Sequence, residues 1–182
     1  MGPVDWLPET GERLAVAHFD QGTVGFFTRN GERFVSASQL TGEYGIVNLE
    51  PGDWNGDTNA DLFAFNSSQE DLMVYLADGR GGYQSGPRLD LRSETIVGFY
   101  DTVNSSRYRA LAVGRIDADA HADAAIRTRQ AVLLATAAGE SLTVSQRIEL
   151  DGVTRMLQGG DLDGDGDLDI LVALRTAQGE EQ

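Results

Sequence analysis

The chain has 182 residues, 41% of them hydrophobic, with 22 glycines and a net charge of −15. That length suits one domain with a buried core, and the composition reads as globular and turn-rich. The acidity argues against nucleic acid, whose phosphates it would repel. The lack of cysteine excludes disulfides and thiolate chemistry, and the lack of lysine (all 14 basic residues are arginine) excludes Schiff-base catalysis.

Met1-Gly2-Pro3-Val4-Asp5 has neither a basic nor an apolar leader segment, so no signal peptide is expected there. No apolar run approaches the roughly 20 residues of a membrane helix, so no membrane span is expected. Strand-like runs at 14–17 and 24–28 lead to Asn30-Gly31, and runs at 62–65 and 72–76 lead to Asp78-Gly79. Both dipeptides tolerate the positive φ of a tight hairpin. A constant offset of 48 superposes residues 14–31 on 62–79, which marks a repeat. A third copy has strand-like runs at 124–126 and 131–135, and a fourth at 154–160 and 169–174. Between the second and third copies lie about 13 extra residues near 92–107, an insertion expected to be a surface loop or part of a binding face.

An Asp-rich loop precedes the second strand of the second, third and fourth copies. The clearest is Asp161-Leu162-Asp163-Gly164-Asp165-Gly166-Asp167-Leu168-Asp169, with aspartates at loop positions 1, 3, 5 and 9. Loop 53–61 keeps oxygen-bearing side chains at those positions as Asp53, Asn55, Asp57 and Asp61. Loop 115–123 keeps Asp117, Asp119 and Asp123 but has Arg115 at position 1. Hard cations such as Ca²⁺ take six to eight oxygen ligands, which such a loop can supply. The three loops carry 11 acidic residues and one arginine, so removing them leaves a net charge of only about −5. An EF-hand starts with the same spacing but needs Glu at position 12 and flanking helices. Position 12 is Ala64 in one loop and Val172 in another, and strand-like runs follow both.

One unit therefore reads as strand, Asp loop, strand, hairpin, strand, turn and strand, the size of a four-stranded propeller blade. The expected fold is an all-β propeller of four-stranded antiparallel blades, about three and a half in this chain. The expected bounds are a partial blade at 12–45, full blades at 46–93 and 94–150, and a partial blade at 151–182. No first strand is evident before Leu14. The shortfall implies a partial propeller with missing blades or a ring completed by a homo-oligomer, ahead of a small ring in which the terminal strands complete one blade.

These loops and their register resemble the FG-GAP/VCBS repeats, the Asp-loop β-propeller repeats of integrin α-subunit heads and many bacterial surface proteins. The resemblance implies Ca²⁺ held by side chains at positions 1, 3, 5 and 9 and the carbonyl of position 7. Carried over, the ligands are Asp53, Asn55, Asp57, Asn59 (carbonyl) and Asp61, and Asp161, Asp163, Asp165, Asp167 (carbonyl) and Asp169. Two Ca²⁺ sites are thus expected. Loop 115–123 is expected to be empty, with the Arg115 guanidinium standing in as an internal counter-ion. His121 falls at the carbonyl position, and its ring is expected to play no part.

The resemblance implies a Ca²⁺-stabilised interaction module for adhesion or ligand binding, with a protein or carbohydrate partner. Weak Ca²⁺ loops would fill outside the cytosol, so the expected location is extracellular, cell-surface or periplasmic. Trp6, Trp54, Phe99 and Tyr100 are candidate sugar-stacking residues, although Trp54 within its loop reads more simply as packing. The alternative is an accessory or catalytic domain of a polysaccharide-degrading enzyme. An enzyme is disfavoured because most clustered carboxylates are already accounted for as ligands, and two histidines give no triad.

Overall fold

The computed structural model describes residues 4–7, 13–94, 110–138 and 140–175. They form antiparallel sheets throughout, and among them no helix is long and apolar enough to cross a membrane. The first sheet is β1 (Val4–Leu7), β2 (Arg13–His18), β3 (Thr23–Asn30) and β4 (Arg33–Thr41), paired in chain order. The second is β5 (Ile46–Gly52), β6 (Asp61–Asn66), β7 (Asp71–Ala77) and β8 (Tyr83–Asp90). The third is β9 (Leu111–Gly114), β10 (Asp123–Arg127), β11 (Ala131–Ala138) and β12 (Ser141–Glu149). A two-stranded sheet, β13 (Val153–Gly160) and β14 (Asp169–Arg175), follows.

The molecule is thus a run of three and a half propeller blades, as the repeat pattern implies. The distribution of strands differs from that pattern in one place. The first blade is four-stranded, because β1 pairs with β2 in the register Val4↔Val16 to Leu7↔Arg13. With only four residues and no Asp loop in register, β1 carries too short a pattern to be read beforehand. The insertion near 92–107 falls almost wholly outside the described residues.

The first strands β1, β5, β9 and β13 lie side by side, so each blade packs on the next along a common axis. Strand alternation explains the burial. In β6, Leu62 and Ala64 point into the core shared with the first blade, where they meet Ala15, Ala17, Val24 and Phe26. Phe63 and Phe65 point the other way, into the core shared with Leu111, Ile126 and Leu133 of the third blade. Both faces are covered, so all six residues of β6 are buried. The same alternation in β10 sends Ala125 toward the half blade, where Leu157, Ile170 and Val172 pack. β14 repeats the pattern with one face bare: Leu171 is 49% exposed, whereas Phe63 and Ala125, its counterparts, are fully buried. The outer strands β4 and β12 are exposed along most of their length.

Candidate metal loops

The three Asp loops join the first and second strands of successive blades and sit on one rim. Each is organised by its own carboxylates, which accept backbone N–H groups that a tight turn would otherwise leave unpaired. The Asp53 carboxylate accepts from Gly56 N (2.8 Å), Asp57 N (3.1 Å) and Thr58 N (2.8 Å). The Asp161 carboxylate accepts in the same way from Gly164 N (2.7 Å) and Gly166 N (3.1 Å). The alternate residues continue the pattern: Asp57 N donates to Asn55 Oδ1, Asn59 N to Asp57 Oδ1, and Asp167 N to Asp165 Oδ1.

Position 9 is the anchor. The Asp61 carboxylate accepts from Trp54 N (3.0 Å) and from Ala77 N at the end of β7 (2.7 Å). Asp123 accepts from Ile116 N (2.9 Å) and Ala137 N (3.2 Å), and Asp169 from Leu162 N (2.7 Å). Asp61 and Asp123 have no exposed surface. Burial pushes the Asp61 carboxyl up to about 6 against the pull of its Ala77 and Trp54 bonds, with Asp57 and Asp53 adding repulsion. Burial likewise raises Asp123.

Two carboxylate groups converge. Oxygens of Asp161, Asp163 and Asp169 lie within 4.8 Å of one another, and so do those of Asp117, Asp119 and Asp123. Two ligands of one Ca²⁺, each about 2.3–2.6 Å from it, are separated by no more than about 5 Å, so both groups fit a shared hard cation. The all-oxygen donors suit Ca²⁺, Mg²⁺ or Mn²⁺ better than thiophilic metals. Asp165 and Asp167 are not part of the converged group of the last loop. Loop 53–61 forms no such three-carboxylate group, because position 3, which both converged groups use, is the amide Asn55. Its turn nevertheless repeats that of loop 161–169, with position 1 gripping the N–H groups of positions 4 and 6 in both. It thereby presents Asp53, Asn55, Asp57 and Asp61 as oxygen donors at the same loop positions.

No family model matches the chain, and no curated protein matches it. A solved structure does. The crystal structure of a protein from Lactobacillus plantarum, determined as a structural-genomics target, aligns with a TM-score of 0.61 at 18% identity. The alignment covers 100% of this chain and 53% of that one, so the chain spans about half the length of the structure it matches. At this identity the likeness bears on the fold alone.

Two expectations about loop 115–123 need correction. Arg115 does not fill its own loop: its Nη2 donates to Asp167 Oδ1 in the loop of the following blade (2.9 Å). The three carboxylates it was expected to neutralise converge without it. The His121 ring is also engaged, with Nδ1 2.8 Å from Trp54 O in the preceding loop. Reasoning within one loop could find neither contact, because both run between blades.

The aromatic candidates divide. Trp54 is 4% exposed and packs edge-on against Phe63 at 6.1 Å, which makes it a core residue. The Trp6 side chain, Phe99 and Tyr100 lie outside the described residues. Asn66 of the sequon Asn66-Ser67-Ser68 is wholly buried, and its Oδ1 accepts from Ser68 N and Gln69 N.

Proposed function

We propose that the chain is a Ca²⁺-stabilised β-propeller interaction module of the FG-GAP/VCBS type. It works at a cell surface, in the periplasm or outside the cell, and binds a protein or carbohydrate instead of transforming it. The observation that carries this reading is the convergence of Asp161, Asp163 and Asp169 on a loop between two strands of one blade. Acidic side chains brought this close repel one another, and a cation turns the repulsion into a cross-link. Modules of this kind bind Ca²⁺ at about 10⁻⁴–10⁻³ M, levels met outside the cytosol. Loops 161–169 and 53–61 are the proposed sites by loop position, and the converged carboxylates of loop 115–123 make it a third candidate. The remaining blades come from further chain or from a second copy.

The test is calorimetric titration of Ca²⁺ into chelator-stripped protein, with thermal melts alongside. One site at about 100 Kd adds about 2.7 kcal/mol of stability. Asp163→Ala removes a converging oxygen, and should abolish most of the last loop's share of the chelator-sensitive shift in Tm. No heat of binding and no chelator effect would refute the reading.

A further inference from the structure

The Asp loops are clasped to one another in a repeating way. Ala122 N, at position 8 of loop 115–123, donates to Asp53 O at position 1 of the loop before it (2.8 Å). Leu168 N, at position 8 of loop 161–169, donates to Arg115 O at position 1 of its predecessor (2.7 Å). The side chain at position 7 reaches back in both cases: His121 to Trp54 O, and Asp167 to Arg115. The glycine before each loop admits this approach. A Cβ on Gly52 would meet Ala122 Cβ at 2.7 Å, and one on Gly114 would meet Leu168 Cβ at 3.1 Å.

His121 is the clasp residue of the first pair. A carbonyl can only accept, so Nδ1 carries the ring proton and donates to Trp54 O. The ring edge lies over Gly56, where an added Cβ would sit 3.4 Å from His121 Cε1. Positions 1, 2 and 4 of loop 53–61 are therefore held from outside by the next blade. That hold keeps the carbonyls of Asp53 and Trp54 turned outward, toward the next blade. The Asp53 carboxylate stays inside the turn, on the N–H groups of Gly56 and Thr58.

We infer that His121 is a positioning residue for the cation loop 53–61, which it holds in binding geometry from the neighbouring blade. This rests on the Ca²⁺ reading above. The chemistry also fixes which substitutions should work. Asn places its Nδ2 where the histidine Nδ1 stands and can still donate to Trp54 O, whereas Gln places its donor at the Nε2 site and Ala has none.

The experiment uses Tb³⁺ as the probe, its luminescence sensitised by Trp54 in a Trp6→Phe, Asp117→Ala background, which leaves Trp54 as the one tryptophan of the chain and breaks the converged carboxylates of loop 115–123. Hydrogen exchange of loop 53–61 is followed in parallel in metal-free protein. One hydrogen bond of this kind corresponds to a roughly three- to tenfold change. His121→Ala and His121→Gln should weaken Trp54-sensitised binding by about that factor and speed exchange in the loop. His121→Asn should restore most of both. Calorimetric binding at loop 161–169 should not change. A responsive wild type with an equally responsive His121→Ala refutes the inference alone, and so does an equal weakening at both loops. A wild type that gives no sensitised signal refutes the cation role of loop 53–61, and this inference with it. Binding heat that survives at loop 161–169 would show that the broader reading stands.

Discussion

The glycine that precedes each Asp loop occupies the same motif position in three blades but three different environments. A Cβ at Gly52 would lie 2.5 Å from Val113 Cγ1 and 2.7 Å from Ala122 Cβ. Carbon atoms pack at about 3.5–4.0 Å, so the added methyl overlaps two groups of the third blade at once. Ala122 cannot retreat without giving up its bond to Asp53 O. Overpacking of this kind costs about 1–3 kcal/mol. Reduced freedom of the unfolded chain returns about 0.4–1 kcal/mol for Gly→Ala. At Gly160 an added Cβ meets nothing within 4 Å, so only the second effect operates. Gly52→Ala should therefore be less stable than Gly160→Ala by about 1–3 kcal/mol, the overpacking cost alone. Gly114→Ala should fall between them, because the atoms it meets, Leu168 Cβ and Cδ1, lie farther off at 3.1 Å. In a chain of this size each kcal/mol shifts Tm by about 2–4 °C, well within reach of calorimetry or circular dichroism. Equal melting temperatures for Gly52→Ala and Gly160→Ala would refute the close packing of successive blades described here.

Thr58 holds a φ of +69°, a conformation that a β-branched residue adopts only under strain, while the matching Gly166 adopts +87° freely. Thr58→Gly should stabilise the protein by about 1 kcal/mol in a denaturant titration, since the left-handed region costs roughly 1–2 kcal/mol for a residue with a Cβ. The carboxyls of Asp61, Asp71 and Asp123 are all raised by burial, Asp61 to about 6. A group that holds its proton more tightly in the folded state favours folding below its folded pKa. Metal-free protein should thus lose stability as pH rises from about 4 to about 6, and excess Ca²⁺ should flatten that slope. The lowered carboxyls of Asp57, Asp78 and Asp90 act with the opposite sign, below the usual carboxylate range. Melts that stay flat with pH in chelator would contradict this. Asn66, buried and engaged in its turn, should carry no glycan on folded protein secreted from eukaryotic cells, which peptide mass spectrometry would check.

The fold was legible because its signals are local. The apolar run of β6 and the Asp78-Gly79 hairpin each lie within one blade, the constant offset repeats such runs from copy to copy, and together they set the strand order. The loops were legible for the same reason, since alternate side-chain oxygens on a tight turn meet one another wherever the turn is placed. Contacts between blades were not legible, because they depend on which residues face each other across a layer. Arg115 shows the difference. Its sequence position says that a ligand has been lost and a positive charge gained, and the nearest acidic partners along the chain are those of its own loop. In the folded molecule the side chain crosses instead to Asp167 of the next blade, and its carbonyl accepts from Leu168 N. Both partners are about half exposed, so the ion pair itself contributes little, about 0–1 kcal/mol. The backbone bond and the packing of Leu168 on Gly114 hold the clasp, and Arg115 is free to vary as long as position 1 keeps its carbonyl there. The same residue can therefore cease to be a ligand in its own loop and still serve the loop beside it.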